Sequence, residues 1–247
     1  MSMTLQPEFA PLVREALARS REAFGPRLCA FYLHGSIAQG DAVPGVSDLD
    51  AMLVLTGAVT DADRAQQNTA QQELQSRYPV AEEVHLTLLS LDDLAANDFA
   101  RFALRYNARL LLGQDVVRTM PCPAPDAAMA KGRLAFARQC FDDALSGKQP
   151  ACTGPLPADP YWQARKFARH FVILEGAYYL MAAGRFTSFA PGDVLPALHK
   201  IAPQFSAELQ LTRRILNDAP AAGVTGRAYL YDIYTLVKWL FSHIESY

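Results

Sequence analysis

Cysteine is scarce in this sequence, and its pattern argues against both a zinc site and a disulfide framework. The four cysteines form no CxxC pair, and no histidine stands at the spacing of a zinc site. We therefore expect reduced thiols, which makes the cytoplasm the expected location. The four positions are Cys29, Cys122, Cys140 and Cys152.

A strong net charge and a long apolar run are also missing. The 23 Lys and Arg residues nearly balance the 25 Asp and Glu residues, which leaves a formal charge of -2. This balance provides no field that would draw the whole chain to nucleic acid or to an anionic membrane, so we expect neither as a partner. Charged residues interrupt the apolar positions of the first 20 residues, which predicts a first helix there rather than a signal peptide.

The chain has ample apolar material for folded domains, because 51% of its 247 residues are hydrophobic. In the first half, helical and strand patterns alternate, which favours an α/β (α+β) domain with a short mixed sheet. The predicted elements are a helix that ends at Gly25-Pro26, strands at 28–33, at 48–55 and from Glu82 onward, and a helix at 61–77.

The second half has only helical periodicity. Pro121, Pro123 and Pro125 mark a linker, so we expect a first domain at 1–120 and an all-α helical-bundle domain at 121–247. Four prolines and two glycines interrupt the helical pattern between Gly147 and Pro160, which predicts a long surface loop.

Two short motifs within FYLHGSIAQGDAVPGVSDLDAMLVL suggest chemistry. Gly35 allows the backbone to approach a ligand closely, and Ser36 offers a hydroxyl and backbone N–H groups to phosphate oxygens. Asp48 and Asp50 stand two residues apart at a strand start, so both side chains point to one face. Mg²⁺ binds one or two protein carboxylates together with phosphate and water. Together the motifs predict a site for magnesium and a nucleotide.

This combination resembles the nucleotidyltransferase superfamily of DNA polymerase β, in which a GS motif, a spacer and a DxD motif follow one another. The spacer here runs from Ile37 to Ser47. The resemblance implies a third carboxylate on a neighbouring strand, and spacing alone leaves Glu82 and Glu83 open. The segment AEEVHLTLL is similar to the strand that carries the catalytic glutamate in aminoglycoside adenylyltransferases, and this likeness favours Glu83.

The likeness to aminoglycoside adenylyltransferases implies an activity and a second domain. Such enzymes move AMP from ATP to a hydroxyl of a small molecule, and a helical C-terminal domain closes over nucleotide and acceptor. Here ATP or another nucleoside triphosphate is the expected co-substrate, Mg²⁺ is bound by Asp48 and Asp50, and Glu83 accepts the acceptor's proton. The family often has a lysine where this chain has Gly192, so either Arg185 or Lys200 replaces it at the triphosphate or nucleotide binding is weaker.

Three points stay open at this level. The same motifs occur in antitoxin-type nucleotidyltransferases that modify a protein, and a nucleotide-binding module without catalysis is a further alternative. The third point is the acceptor. Arg165, Lys166 and Arg169 precede a single acid, Glu175, which predicts a phosphate or anionic acceptor rather than a cationic aminoglycoside. If those basic side chains instead lie on an outer solvated face, Glu175 or Asp193 could bind a cationic acceptor.

Overall fold

The computed structural model describes residues 5–247 and divides into two compact units, Met1–Pro123 and Ala124–Tyr247. The first unit combines a small sheet with helices. Its elements in chain order are α1 Ala10–Phe24, β1 Leu28–His34, α2 Gly35–Gln39, β2 Leu49–Leu55, α3 Asp61–Arg77, β3 Val84–Ser90, α4 Leu91–Ala96, α5 Asp98–Asn107, β4 Ala108–Gly113 and α6 Val116–Thr119.

The four strands form one mixed sheet in the order β3-β2-β1-β4. Strand β2 runs parallel to β3, and β1 is antiparallel to both β2 and β4. This sheet confirms the predicted fold class. Strand β4 was not predicted, because it lies at the sheet edge and is half-buried along most of its length, which leaves no alternating pattern in the sequence.

The two faces of the sheet differ. One face is mainly apolar and packs with α1 and α3, using Leu49, Ala51, Leu53 and Leu55 of β2 among others. On the other face, Val54 and its neighbours pack with α4 and α5 into a smaller core. Polar side chains replace the apolar ones toward the start of β2. A polar patch is therefore left at one end of an otherwise covered sheet.

Local sequence signals explain where the helices of this unit begin and end. Helix α1 stops at Gly25, whose φ of +50° suits glycine, and Pro26 follows. Helix α3 has the predicted bounds. A capping box formed by Thr60 and Asp63 begins it, and Tyr78-Pro79 ends it.

All regular structure from Ala124 to Tyr247, a range that the structure describes completely, is helical, as predicted. The helices are α7 Ala127–Leu145, α8 Pro160–Phe167, α9 Glu175–Ala182, α10 Pro191–Ile201, α11 Ser206–Asn217, α12 Ala219–Ala222, α13 Gly226–Asp232 and α14 Tyr234–Ser246. A π-helical stretch, Ala168–Leu174, joins α8 to α9. The expected long loop lies between α7 and α8. Within residues 5–247, no helix combines the length and the apolar character needed to span a membrane.

Candidate active site

The turn between β1 and α2 brings the backbone against a carboxylate. Gly35 has a φ of +70°, and a Cβ atom built there would lie 2.5 Å from Oδ2 of Asp50. Only glycine meets both demands, since a side chain would be strained in this conformation and would collide with the carboxylate. Ser36 follows directly in α2. The glycine-serine motif and the second aspartate are therefore neighbours in space.

Helix α2, which follows this turn, is anchored at its C-terminal end. Gly40 ends it in the left-handed conformation, and the N–H of Asp41 donates to the carbonyl oxygen of Ser36 at 3.1 Å. Nε2 of Gln39 donates to Oδ1 of Asn107 at 2.6 Å. This bond connects α2 to the end of α5, which fixes the position of the turn relative to β4.

The strand register gathers the predicted carboxylates on the polar face. Asp50 lies opposite His34 of β1 and opposite His85 of β3, so these three side chains form one cross-strand row. Leu49 lies opposite Val84, and its N–H donates to the carbonyl oxygen of Glu83 at 2.8 Å. Continuing the register by one residue places Asp48 beside Glu83, two positions from Asp50 on the same face.

Alternation continued from β3 by two residues would put Glu82 on the other face, with Val84. Its N–H donates to the carbonyl oxygen of Ser47 at 3.1 Å, which keeps this short segment paired with the approach to β2. The contact between Glu83 and His85, which lies opposite Asp50, puts Glu83 on the same face as Asp50.

Two histidines border the carboxylates. Nε2 of His85 lies 2.9 Å from Oε2 of Glu83. Burial lowers the pKa of His34, an effect that the charge of Asp50 opposes and that of His85 reinforces. Burial therefore favours the neutral form of His34. The sequence predicted a packing or hydrogen-bonding role for His34 and no role for His85, although alternation in HLT and AFYLH puts both on the polar face.

The donor atoms in this patch are of the type that magnesium prefers. Among the described residues, no group of three or more His, Cys, Asp or Glu side chains is arranged to hold a metal ion. Asp48 and Asp50 nevertheless supply carboxylate oxygens, and magnesium commonly takes only one or two of these with phosphate and water. The pair suits an ion that is shared with a nucleotide rather than one enclosed by protein.

Arg185 and Lys200, the two predicted triphosphate cations, lie together in the second unit. Both line a cavity of about 320 Å³ that also includes Gly192 and Asp193. A Cβ atom at Gly192 would meet nothing within 4 Å. The space that a lysine would enter is therefore open. Oδ2 of Asp193 accepts a hydrogen bond from Ser188 at 2.5 Å.

Two of the three basic residues before α9, Arg165 and Lys166, are buried rather than on an outer solvated face, whereas Arg169 is half-buried. Arg165 and Lys166 are only 4% and 8% exposed, and Nζ of Lys166 donates to the carbonyl oxygen of Pro155 at 2.7 Å. Glu175 is buried and accepts a hydrogen bond from Nε of Arg133 at 3.2 Å. Burial raises the pKa of Glu175 to about 6, although Arg133 opposes this rise. Glu175 therefore already has a cation as its partner.

No protein-family model matches the chain, and neither does any curated protein. Among solved structures, the chain is similar to spectinomycin adenyltransferase AAD(9) from Enterococcus faecialis, crystallised with ATP and spectinomycin. The identity is 11%, the match covers 95% of this chain and 98% of that one, and the TM-score is 0.58. A toxin-antitoxin structure with AMP-PNP matches 56% of this chain and 98% of its own at 19% identity, with a TM-score of 0.33.

The arrangement of strands and helices and the similarity to AAD(9) together identify the fold. A mixed four-stranded sheet with a GS turn and paired aspartates, followed by a helical second unit, is the architecture that the resemblance implied. The likeness to AAD(9) extends over nearly the whole chain. The chain therefore has a fold similar to that of AAD(9), which confirms the expected fold.

Proposed function

We propose that this protein is a magnesium-dependent nucleotidyltransferase that moves a nucleoside monophosphate, AMP from ATP, to a hydroxyl of a small molecule. Pyrophosphate is the second product. The observation that supports this most strongly is that Gly35 lies against Asp50, which shares a cross-strand row with His85, the neighbour of Glu83. A fold similar to that of AAD(9), which was crystallised with ATP and spectinomycin, favours a nucleotide and a small-molecule acceptor.

In this proposal, the glycine-serine turn, the two aspartates and Glu83 have different roles. Gly35 and Ser36 bind phosphate oxygens through backbone N–H groups and a hydroxyl. Asp48 and Asp50 hold magnesium, which when bound neutralises phosphate charge and stabilises the oxygens that attack and leave. Glu83 accepts the proton of the acceptor hydroxyl as that oxygen attacks the α-phosphate. His85, 2.9 Å from Glu83, orients this carboxylate.

Arg185 and Lys200 are proposed as further phosphate ligands. Two cations on the wall of one cavity suit a polyanion, because phosphate oxygens accept several charge-assisted hydrogen bonds. A Cβ atom at Gly192 would meet nothing within 4 Å, so the cavity wall has no side chain there and Arg185 and Lys200 supply its positive charge. In this proposal, Arg185 and Lys200 increase the affinity for the triphosphate, whereas the residues of the polar face carry out the reaction.

The experiment that tests the proposal is transfer of label from α-³²P-ATP. The purified protein is incubated with magnesium and panels of aminoglycosides, hydroxylated metabolites and proteins, with Asp50→Asn as the inactive control. Label on a small molecule, lost in the control, supports the proposal. Label on a protein alone would favour the protein-modifying alternative. Magnesium-dependent ATP binding without any transfer would leave a nucleotide-binding module.

A further inference from the structure

A cavity in the first unit has no part in the proposed chemistry described so far. Its volume is about 740 Å³, within the range of pockets that hold small organic molecules. Leu104 of α5, Ala108 and Leu110 of β4, and Val117 of α6 form an apolar wall. Such a wall stabilises the carbon skeleton of a ligand, because it removes apolar surface from water.

The polar side chains of this cavity carry an excess of positive charge. Arg105 and Arg118 line it together with a single carboxylate, Asp115. Nε of Arg118 lies 2.8 Å from Oδ2 of Asp115, and the hydroxyl of Tyr32 donates to Oδ1 at 3.1 Å. Burial raises the pKa of Tyr32 to about 12, so this hydroxyl keeps its proton. Asp115 is therefore engaged on both oxygens.

Arg105 is the cation that this arrangement leaves for a ligand. Asp115 is the only carboxylate among the described residues that line the cavity, and Arg118 already neutralises it. A guanidinium group presents a planar pair of N–H donors that matches a carboxylate or a phosphate. The cavity thus combines an apolar wall with one uncompensated anion-binding group.

The cavity adjoins the carboxylates through the sheet register. Ala108 lies opposite His34, which in turn lies opposite Asp50, so the wall of the cavity continues the row of the candidate active site. Leu110 lies opposite Tyr32 in the next row. With a strand spacing of about 4.8 Å, Ala108 and Asp50 are about 10 Å apart on one face. One small molecule can span this distance.

We propose that the cavity is an acceptor subsite, which recognises a small molecule by a carboxylate or phosphate group bound to Arg105. The apolar wall holds the body of the molecule, and its hydroxyl extends along the row toward Asp50. The identification of the ligand as the acceptor rests on the proposed function. The recognition of an anionic, partly apolar molecule does not.

Binding to the full-length protein without nucleotide tests this recognition. The probes are 4-(hydroxymethyl)benzoate, its neutral amide and 4-(hydroxymethyl)phenyl phosphate, with dissociation constants from calorimetry. We expect an anionic probe to bind roughly tenfold more tightly than the amide, as is typical of a charge-assisted hydrogen bond. The order of the two anions distinguishes a carboxylate site from a phosphate site. Equal affinity for the anions and the amide would overturn the proposal.

Variants of Arg105 test whether this residue causes the preference for an anionic probe. Arg105→Met keeps an apolar stem and removes the charge, so the preference should disappear, whereas Arg105→Lys should retain part of it. Arg14→Met, on the exposed side of α1, is the matched control and should bind like wild type. A full preference in Arg105→Met, or its loss in Arg14→Met as well, would contradict the role of Arg105. Far-ultraviolet circular dichroism of each variant verifies folding.

Transfer measurements with the same probes separate the two proposals. With magnesium and labelled ATP, we expect the anionic probe to be labelled at least about tenfold faster than the amide. Equal labelling of both would overturn the subsite and leave the nucleotidyltransferase proposal intact. A binding preference without transfer to any probe or panel member would overturn the proposed function, while the anion preference of the cavity would stand.

Discussion

At the residue scale, Gly35 is the position at which backbone conformation and chemistry constrain each other most directly. Its φ of +70° and the 2.5 Å separation that a Cβ atom would have from Oδ2 of Asp50 are independent obstacles to any other residue. The backbone strain costs stability, whereas the collision displaces a carboxylate. Strain and collision can be measured separately, because Gly57 has a similar φ but no atom within 4 Å of the position of its Cβ.

We predict that Gly35→Ala abolishes binding of Mg-ATP and also lowers the free energy of unfolding by about 1–2 kcal/mol. Gly57→Ala is the control, since its φ is +72° and a Cβ there would meet nothing within 4 Å. It should show a similar loss of stability with unchanged affinity. Calorimetric titration and urea unfolding make the comparison, and equal affinities in the two variants would contradict the close-approach argument.

The aspartates themselves lead to a second prediction. Asp48→Asn and Asp50→Asn should fold but lose the magnesium dependence of ATP binding, because a triphosphate and two carboxylates repel one another unless a cation lies between them. Titrations with and without magnesium make the measurement. If both variants keep the affinity of the wild type for Mg-ATP, the two-aspartate site is wrong.

The third carboxylate can be assigned by a matched pair of neighbours. We predict that Glu83→Gln keeps Mg-ATP binding and loses at least about 100-fold in transfer rate, because an amide cannot accept the acceptor's proton. Glu82→Gln, on the opposite face of the same segment, should change the rate less than about threefold. The measurement is label transfer at saturating Mg-ATP. The reverse ranking would assign the role to Glu82.

At the element scale, the start of α3 shows how a charged side chain stabilises a helix terminus. Oδ2 of Asp63 accepts from the N–H of Thr60 at 2.8 Å, and the N–H of Asp63 donates to Oγ1 of Thr60 at 3.1 Å. Arg27 donates to both carboxylate oxygens, at 2.8 and 3.0 Å. These bonds lower the pKa of Asp63 to about 2, and the hydrogen bond from Arg27 contributes most.

We predict that Asp63→Asn lowers the free energy of unfolding by about 1–2 kcal/mol at pH 7. The pKa of Asp63 is lower in the folded state than its ordinary 3.8, so this stabilisation is present above pH 4 and is lost as the pH falls toward 2. The difference between wild type and variant should shrink over that range. Asp61→Asn, in the same first turn, should cost only a few tenths of a kcal/mol. A pH-independent difference would contradict the linkage to Asp63.

Elements with a strong period or a clear terminus could be predicted from the sequence. Helix α3 has a cap and a proline at its ends, and β2 alternates apolar residues on one buried face. Strand β4 could not be predicted, because an edge strand is held by backbone bonds to β1 and not by a buried face. The cavity with Arg105 was missed for the same reason, since its wall includes that strand.

The candidate site was predictable to the extent that it is local in sequence. Asp48 and Asp50 share a face because of their spacing, and Gly35 precedes them in a recognisable turn. The resemblance, and not the spacing, favoured Glu83 over Glu82, and the contact of Glu83 with His85 on the row of Asp50 is consistent with that choice. Such a row joins residues of different strands, so local spacing could not predict it.

At the scale of the whole molecule, the positions of the acidic side chains indicate whether a cationic acceptor can bind. A polycationic drug needs carboxylates that are available when water leaves the site, because unpaired buried charges are costly. In the second unit, Glu175 is buried against Arg133, and Asp193 accepts a hydrogen bond from Ser188. In the first unit, the cavity beside the carboxylates has two arginines and one aspartate. Neither arrangement favours a ligand with several ammonium groups.

We therefore predict that spectinomycin and streptomycin are poor acceptors, although the fold is similar to that of AAD(9), which was crystallised with spectinomycin. At saturating Mg-ATP, either drug should be labelled at least about tenfold more slowly than 4-(hydroxymethyl)benzoate, because Glu175 is already paired with Arg133 and Arg105 repels a cation. The measurement is label transfer under single-turnover conditions, with calorimetry verifying that the same preparation binds Mg-ATP. Arg105→Met serves as the internal control, since removing the repelling charge should raise labelling of the drugs while lowering that of the acid. Efficient magnesium-dependent adenylylation of either drug by wild type, unaffected by Arg105→Met, would contradict the charge argument and favour antibiotic modification as the activity of this fold.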